Sequence, residues 1–405
     1  MQNINKYIKE NWNKTITKGG NVGKGYIPIP KDFSVPSFGH DVFIDMFYWD
    51  TYFINLGLMQ DGFVEQAKNN LENIAYFIEN VGYMPNASHL LFTSQPPLFV
   101  RGCYDYYQKT KDLEFIKKYL PTMISEYEFF MNERITDCGL NQYGDNVLKY
   151  KLKNYYDYFS KRVGVTYQTQ EERDVFVKNM FAICESGWDC TLRFKCNNND
   201  FATNQFVQLD INCILYDVEE KIAYFYDLFG QTDCANKFKL QANRRKILIN
   251  TIMRDEKSKL YFDYNYKTKT FSHFLSAVSF YPYALGISDD KLGLKQTLER
   301  LELEYGISAC ENHSDANLQW DYPVMWAPNV YFAYTALKNC GLNEDAERVA
   351  KKYIYTIDKV FKNTEKLWEK YDAKNCSLPN AKDSKDHEML GWTAGVYRYL
   401  FDDIF

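Results

Sequence analysis

The chain is poor in the residues that build metal and redox centres. Its five histidines, His40, His89, His273, His313 and His387, are each isolated in sequence, and its ten cysteines form no C-x-x-C and no Cys/His ligand spacing. Neither a metal site nor a cofactor is expected from such a pattern. No apolar run approaches the ~18 residues of a membrane span, so no membrane partner is expected. The opening Met1-Gln2-Asn3-Ile4-Asn5-Lys6 lacks the apolar centre of a signal peptide. The expectation is a cytoplasmic chain with reduced, mostly buried thiols. A basic stripe is also missing. The net charge is −5 and lysine and arginine are dispersed among the acids, so nucleic acid is not an expected partner. No linker or low-complexity segment breaks the 405 residues. They read as one domain, 1–405, with residues 1–30 as an extension packed on it. Nothing in the sequence sets the oligomeric state.

Aromatic residues, by contrast, are abundant: 17% of the chain, with 34 Tyr, 29 Phe and 7 Trp. Four of the seven tryptophans stand directly before a carboxylate, as Trp49-Asp50, Trp188-Asp189, Trp320-Asp321 and Trp368-Glu369. One such pair is ordinarily a core indole and a helix cap. Four together point to sugar chemistry, because indole faces stack on the C–H faces of pyranose rings and carboxylates bind hydroxyls or move protons at glycosidic oxygens.

The periodicity is helical. Val64, Ala67, Leu71, Ile74, Ala75 and Ile78 recur at helix spacing, and 62–80 is expected to be one amphipathic helix. Comparable stretches occupy 99–109, 113–133, 208–229, 232–252, 290–303, 327–340, 343–361 and 391–402. Several are joined by short polar turns, such as Leu58-Met59-Gln60-Asp61-Gly62 and Asn339-Cys340-Gly341-Leu342-Asn343. Helix, tight turn and helix is an αα-hairpin. About a dozen helices in such hairpins predict an all-α closed toroid with a central funnel. Segments rich in Trp, Pro and Asn near 28–52, 83–98, 160–175, 185–200, 310–328 and 371–390 are expected to be loops gathered at one end, where a cleft belongs.

Those loops carry the motifs. In Phe47-Tyr48-Trp49-Asp50-Thr51-Tyr52 the carboxylate either caps a buried helix or accepts sugar hydroxyls over the Trp49 ring. Ser94-Gln95-Pro96-Pro97 is a turn whose prolines hold Gln95. In Ser186-Gly187-Trp188-Asp189, Gly187 lets backbone approach a ligand, and the indole beside Asp189 favours a protonated carboxyl. Gln319-Trp320-Asp321-Tyr322-Pro323-Val324-Met325-Trp326-Ala327-Pro328 is the densest segment. Trp368-Glu369-Lys370-Tyr371-Asp372 is expected to end a helix, and Gly391-Trp392-Thr393 to begin one.

In order and content these blocks resemble the trehalase family of glycoside hydrolases, along residues 35 to 398. The resemblance implies an (α/α)6 barrel, an inverting mechanism and a small-molecule glycoside as substrate. It implies Asp189 as general acid and Glu369 as general base. The family's sugar-binding positions fall on Trp49, Asp50, Asn86, Gln95 and Gly187, with Arg162 as a candidate substrate arginine. Trp188, Trp320, Asp321, Trp326, Trp392 and Asp383 complete the expected site. The chain also departs from the pattern. Val42 and Thr93 stand where the family has arginines, and Pro379-Asn380-Ala381-Lys382-Asp383 replaces a glycine-rich lid. Guanidinium forks are not replaceable by such residues. An altered leaving-group subsite is therefore expected, with trehalose itself as the alternative substrate. A non-catalytic sugar-binding protein and a sugar epimerase are further alternatives. The acid and base argue against the first, and the absence of histidine from the matched blocks argues against the second.

Overall fold

The computed structural model describes residues 4–39, 43–196, 200–272, 274–313, 318–379 and 388–405, which form fourteen α-helices and strands of only two or three residues. Val42 and Asp383 lie outside the described residues.

Six helical segments form an inner ring: Tyr48–Gln60, Phe99–Thr110, Leu209–Leu228, Ala277–Phe280 continued by Tyr281–Ala284, Ala327–Asn339 and Gly391–Ile404. Outside them lie Val64–Val81, Leu113–Glu133, Thr232–Ile252, Lys291–Leu301 and Asn343–Thr364. Ile4–Asn11 takes the remaining outer place, with Tyr7 edge-on to Phe361 at 4.9 Å and Asn5 accepting from Arg398. This is the (α/α)6 toroid. The helices differ as their places require. Asn343–Thr364 buries Ala346, Val349, Ala350, Tyr353, Ile354, Ile357, Val360 and Phe361, a single stripe at helical spacing. Tyr48–Gln60 buries every residue except Asp50 and Gln60, because it is packed on all sides.

The ring closes where Gly391–Ile404 crosses Tyr48–Gln60. A methyl group at Gly395 would sit 1.9 Å from the Phe53 carbonyl oxygen, and one at Gly57 would sit 2.7 Å from Gly395 Cα. Only glycine allows backbones this close. Arg398 then donates to Asp61 Oδ1 at 2.9 Å, and Asp61 Oδ2 accepts from the Trp12 indole at 2.7 Å.

Between Leu113–Glu133 and Leu209–Leu228 the chain makes an excursion with a hydrophobic core of its own. Helices Tyr156–Val163 and Gln170–Glu185 bury Leu152, Phe159, Phe176, Val177, Met180 and Ile183 there, with Phe194 and Phe206. Much of this excursion departs from expectation, since 160–175 reads as a loop in the sequence. A second difference lies at Glu369. It follows helix Asn343–Thr364 and leads into a strand, Lys370–Asp372, paired antiparallel with Val324–Trp326. Among the described residues no helix is long and apolar enough to cross a membrane.

Candidate active site

A cavity of about 470 Å³ opens at the N-terminal ends of the inner helices. Of the residues singled out in the sequence, Trp49, Asp50, Asn86, Gln95, Arg162, Gly187, Asp189, Trp320, Trp326, Glu369 and Trp392 line it. They come from more than 300 residues of chain and meet only because each loop enters or leaves a helix at the same end of the toroid.

Four indoles build the floor, with a fifth, Trp188, beneath them. Trp320 and Trp326 stack at 3.9 Å with rings 3° from parallel, and Trp188 adds to the stack on Trp320 at 4.9 Å. Trp392 meets Trp326 edge-on at 5.5 Å, and Trp49 approaches Trp320 at 6.0 Å. Trp188 and Asp321 do not reach the cavity. The Trp188 indole is fully buried with the Arg193 guanidinium 5.0 Å from its ring, and Asp321 accepts the Leu192 N–H at 3.3 Å. Both stand one layer behind the surface expected of them. A residue adjacent in sequence to a site carboxylate need not face the same way.

Each functional group is held by its own backbone partners. Gln95 Oε1 accepts the Trp49 N–H at 3.0 Å, so its amide nitrogen is the group left to offer a ligand. The turn before Gln95 is anchored by the buried carboxylate of Glu185. That group accepts the Ser94 N–H at 3.0 Å, the Gly144 N–H at 2.6 Å, and two bonds from Arg134 at 2.8 and 2.9 Å. The Asn86 carbonyl accepts the Tyr48 N–H at 3.0 Å and its own N–H reaches Thr93 O at 2.9 Å. Behind Trp49, the Tyr48 hydroxyl bonds to Glu126, whose carboxyl burial pushes up to about 8. Gly187 has φ +74°, and a methyl there would stand 3.1 Å from the Trp49 ring. Its lack of a side chain thus makes room for an indole as well as bringing backbone to the cavity.

Asp189 and Glu369 come from two distant segments of the chain and both line the cavity. Arg162 Nη1 lies 3.8 Å from Asp189 Oδ2, and Lys370 Nζ lies 3.2 Å from Glu369 Oε2. Glu369 is fixed through its backbone. Trp392 Nε1–H donates to its carbonyl at 3.0 Å, and the following strand pairs Lys370 with Trp326. The Asp189 side chain is 40% exposed and lines the cavity. Burial raises its pKa above the usual carboxylate range, while the Arg162 charge and a bond from the Cys184 thiol pull it back. Asp50 is pushed up to about 7, first by burial and then by the negative charge of Glu369. Three carboxyl groups in one cavity therefore do not all carry charge near neutral pH.

The sequence did not point to Phe92, Tyr155, Phe159 and Phe181, which also line the cavity. They are ordinary residues scattered through the chain, with no motif to mark them.

The profile of the trehalase family matches residues 1–404. Human trehalase is 28% identical over 392 residues, covering 89% of this chain and 65% of that protein. The chain thus spans just under two-thirds of the length of that relative. Periplasmic trehalase of Escherichia coli O1:K1 is 25% identical over 423 residues, covering 99% of the chain and 74% of its own length. The structure of neutral trehalase Nth1 from Saccharomyces cerevisiae superposes with a TM-score of 0.77 at 22% identity, over 99% of this chain and 80% of that one, a likeness of fold.

Proposed function

We propose that this chain, which belongs to the trehalase family of glycoside hydrolases, is an inverting hydrolase of a small α-linked glycoside, acting as one catalytic domain. The observation that carries the reading is a single cavity lined by both Asp189 and Glu369 together with stacked indoles. Asp189, whose pKa burial raises above the usual carboxylate range, gives its proton to the glycosidic oxygen as the C–O bond breaks. Glu369 takes a proton from the water that attacks the anomeric carbon from the opposite face. Such a water needs a carboxyl separation of roughly 6.5–9.5 Å. Trp49 packs beneath the ring, and Asp50 and Gln95 receive its hydroxyls.

Thr93 replaces a guanidinium fork, so trehalose is expected to be a poor substrate. A site built to bond a hydroxyl loses strongly when the partner is missing. Measuring kcat/KM for trehalose against α-glucosides, α-galactosides and α-mannosides, with the product anomer read by NMR, tests both points. Trehalose preferred by tenfold or more removes the altered subsite and leaves trehalase activity, the reading that the two trehalase relatives favour. A retained anomer removes the inverting mechanism.

The pH profile offers a separate check. kcat/KM should fall on the alkaline side as Asp189 loses its proton. Arg162 lowers the Asp189 pKa, so Arg162→Met favours the neutral form and moves the alkaline limb to higher pH. A limb that stays in place or moves down would remove Asp189 from the acid's role.

A further inference from the structure

Rings line the cavity on both sides: indoles stand near Glu369, and a cluster of Phe and Tyr rings stands near Asp189. Asp50 feels the charge of Glu369 more than that of Asp189, and it stands beside Trp49, whose N–H Gln95 accepts. That is the base side. On the acid side the excursion 147–206 supplies the wall. Arg162 and Cys184, the two groups that act most strongly on Asp189, each follow an aromatic residue by three positions on a helix: Phe159 on Tyr156–Val163, and Phe181 on Gln170–Glu185. Residues three apart share a helix face, so these rings adjoin the acid. Phe181 lies 5.2 Å from Phe159, 5.0 Å from Tyr155 and 5.9 Å from Phe92, a continuous patch of edge-to-face rings.

The polar groups on this side are largely engaged with the protein. Arg162 donates from Nη1 to the Tyr158 hydroxyl at 3.1 Å and from Nη2 to Gln319 Oε1 at 2.9 Å. His89 bonds to Asp45 at 2.6 Å and stacks on Tyr26. Thr93 is 3% exposed. A sugar seated here would bring hydroxyls to a wall of rings, and unpaired hydroxyls are costly to desolvate.

A general acid delivers its proton to the leaving group's oxygen, so the leaving group occupies the acid side. Resting on the acid and base roles proposed above, we propose that this subsite takes an apolar aglycone, an aryl or alkyl alcohol, in place of a second sugar. Hydrolysis then releases a hexose and that alcohol, whose oxygen carries the proton from Asp189.

The test is a series of straight-chain alkyl glycosides from ethyl to octyl, made on the α-hexose that proves best. Leaving-group basicity is nearly constant along such a series, so any trend reports the subsite. kcat/KM is expected to rise at least tenfold from ethyl to hexyl and to level off as the cavity fills. The hexyl glycoside should also exceed trehalose. Phe92→Ala, at a half-buried position, should reduce the hexyl-to-ethyl ratio at least threefold. A flat or falling series, an unchanged ratio in Phe92→Ala, or trehalose ahead of every alkyl glycoside would overturn the apolar subsite while leaving the hydrolase reading intact. Absence of hydrolysis of every glycoside, trehalose included, would overturn both.

Discussion

Asp189→Asn and Glu369→Gln each lower kcat by about 10²–10⁴ or more, the usual weight of a general acid or base, with the fold unchanged. Both substitutions are isosteric, and neither carboxyl is part of the buried networks that hold the toroid. Asp189 touches Arg162 and Cys184 at the cavity edge, and Glu369 is positioned through its backbone carbonyl and neighbouring strand. Circular dichroism and melting temperature should therefore match the parent. The two losses should also respond differently to rescue. In Glu369→Ala, azide or formate placed on the base's face restores turnover, because a small nucleophile needs no proton removed. In Asp189→Asn, activity returns only with leaving groups that depart without a proton. Near-normal turnover of either isosteric variant on its best substrate would sink the assignment.

The second large effect is on stability. Arg193 is buried between Asp210 and Asp263 and makes two bonds to each, at 2.8 and 2.8 Å and at 2.6 and 2.8 Å. Asp263 also accepts the Leu209 N–H at 2.8 Å, tying the start of an inner helix to the same knot. Arg193→Ala leaves two buried carboxylates with no counter-charge. Breaking a buried pair in this way costs about 3–5 kcal/mol, against total stabilities of about 5–15 kcal/mol. Burial already raises the Asp263 pKa despite the arginine, and removing the arginine raises it further. A carboxyl whose folded pKa lies above its unfolded value favours the folded state at low pH and loses that contribution as pH rises through the folded pKa. The variant should accordingly be closest to the parent in mildly acidic buffer and furthest from it above neutrality. Denaturant unfolding at two pH values measures this. A deficit below about 1 kcal/mol at both would show that the knot contributes little. Because the Arg193 guanidinium also faces Trp188, next to Asp189 in the chain, some activity should be lost as well.

The outer helices from Val64 onward were legible because each has one wet face, whereas Ile4–Asn11 was read only as part of an extension. Leu113–Glu133 starts and stops where its periodicity does, behind the Asp112 cap that accepts the Phe115 N–H. Tyr48–Gln60 was not, since burial on all sides erases the polar stripe, and its Trp and Tyr content reads as loop up to residue 52. Gln170–Glu185 did carry a signal, the Thr169/Glu172 capping box, set in a segment whose density of polar residues suggested a loop. The candidate site divides in the same way. Trp49, Asp50, Gln95, Asp189 and Glu369 were visible because sugar chemistry calls for uncommon residues in tight groups. Phe92, Tyr155, Phe159 and Phe181 were hidden because an apolar wall can be built from any aromatic residue and is defined only by what the fold brings beside it. The expectation that Glu369 ends a helix missed the strand pairing with Val324–Trp326, which is too short to leave a period-two pattern.

The crossing of Gly57 and Gly395 has a consequence for how the molecule comes into being. A ribosome delivers Tyr48–Gln60 long before Gly391–Ile404, and until the second arrives the first has one flank open. The floor of the pocket is in the same position, since Trp392 and the bond it donates to Glu369 belong to the later helix. Five-sixths of a toroid is thus an apolar trough with an unfinished cleft, the kind of intermediate prone to association. Closure of the ring and completion of the pocket floor both wait on Gly391–Ile404.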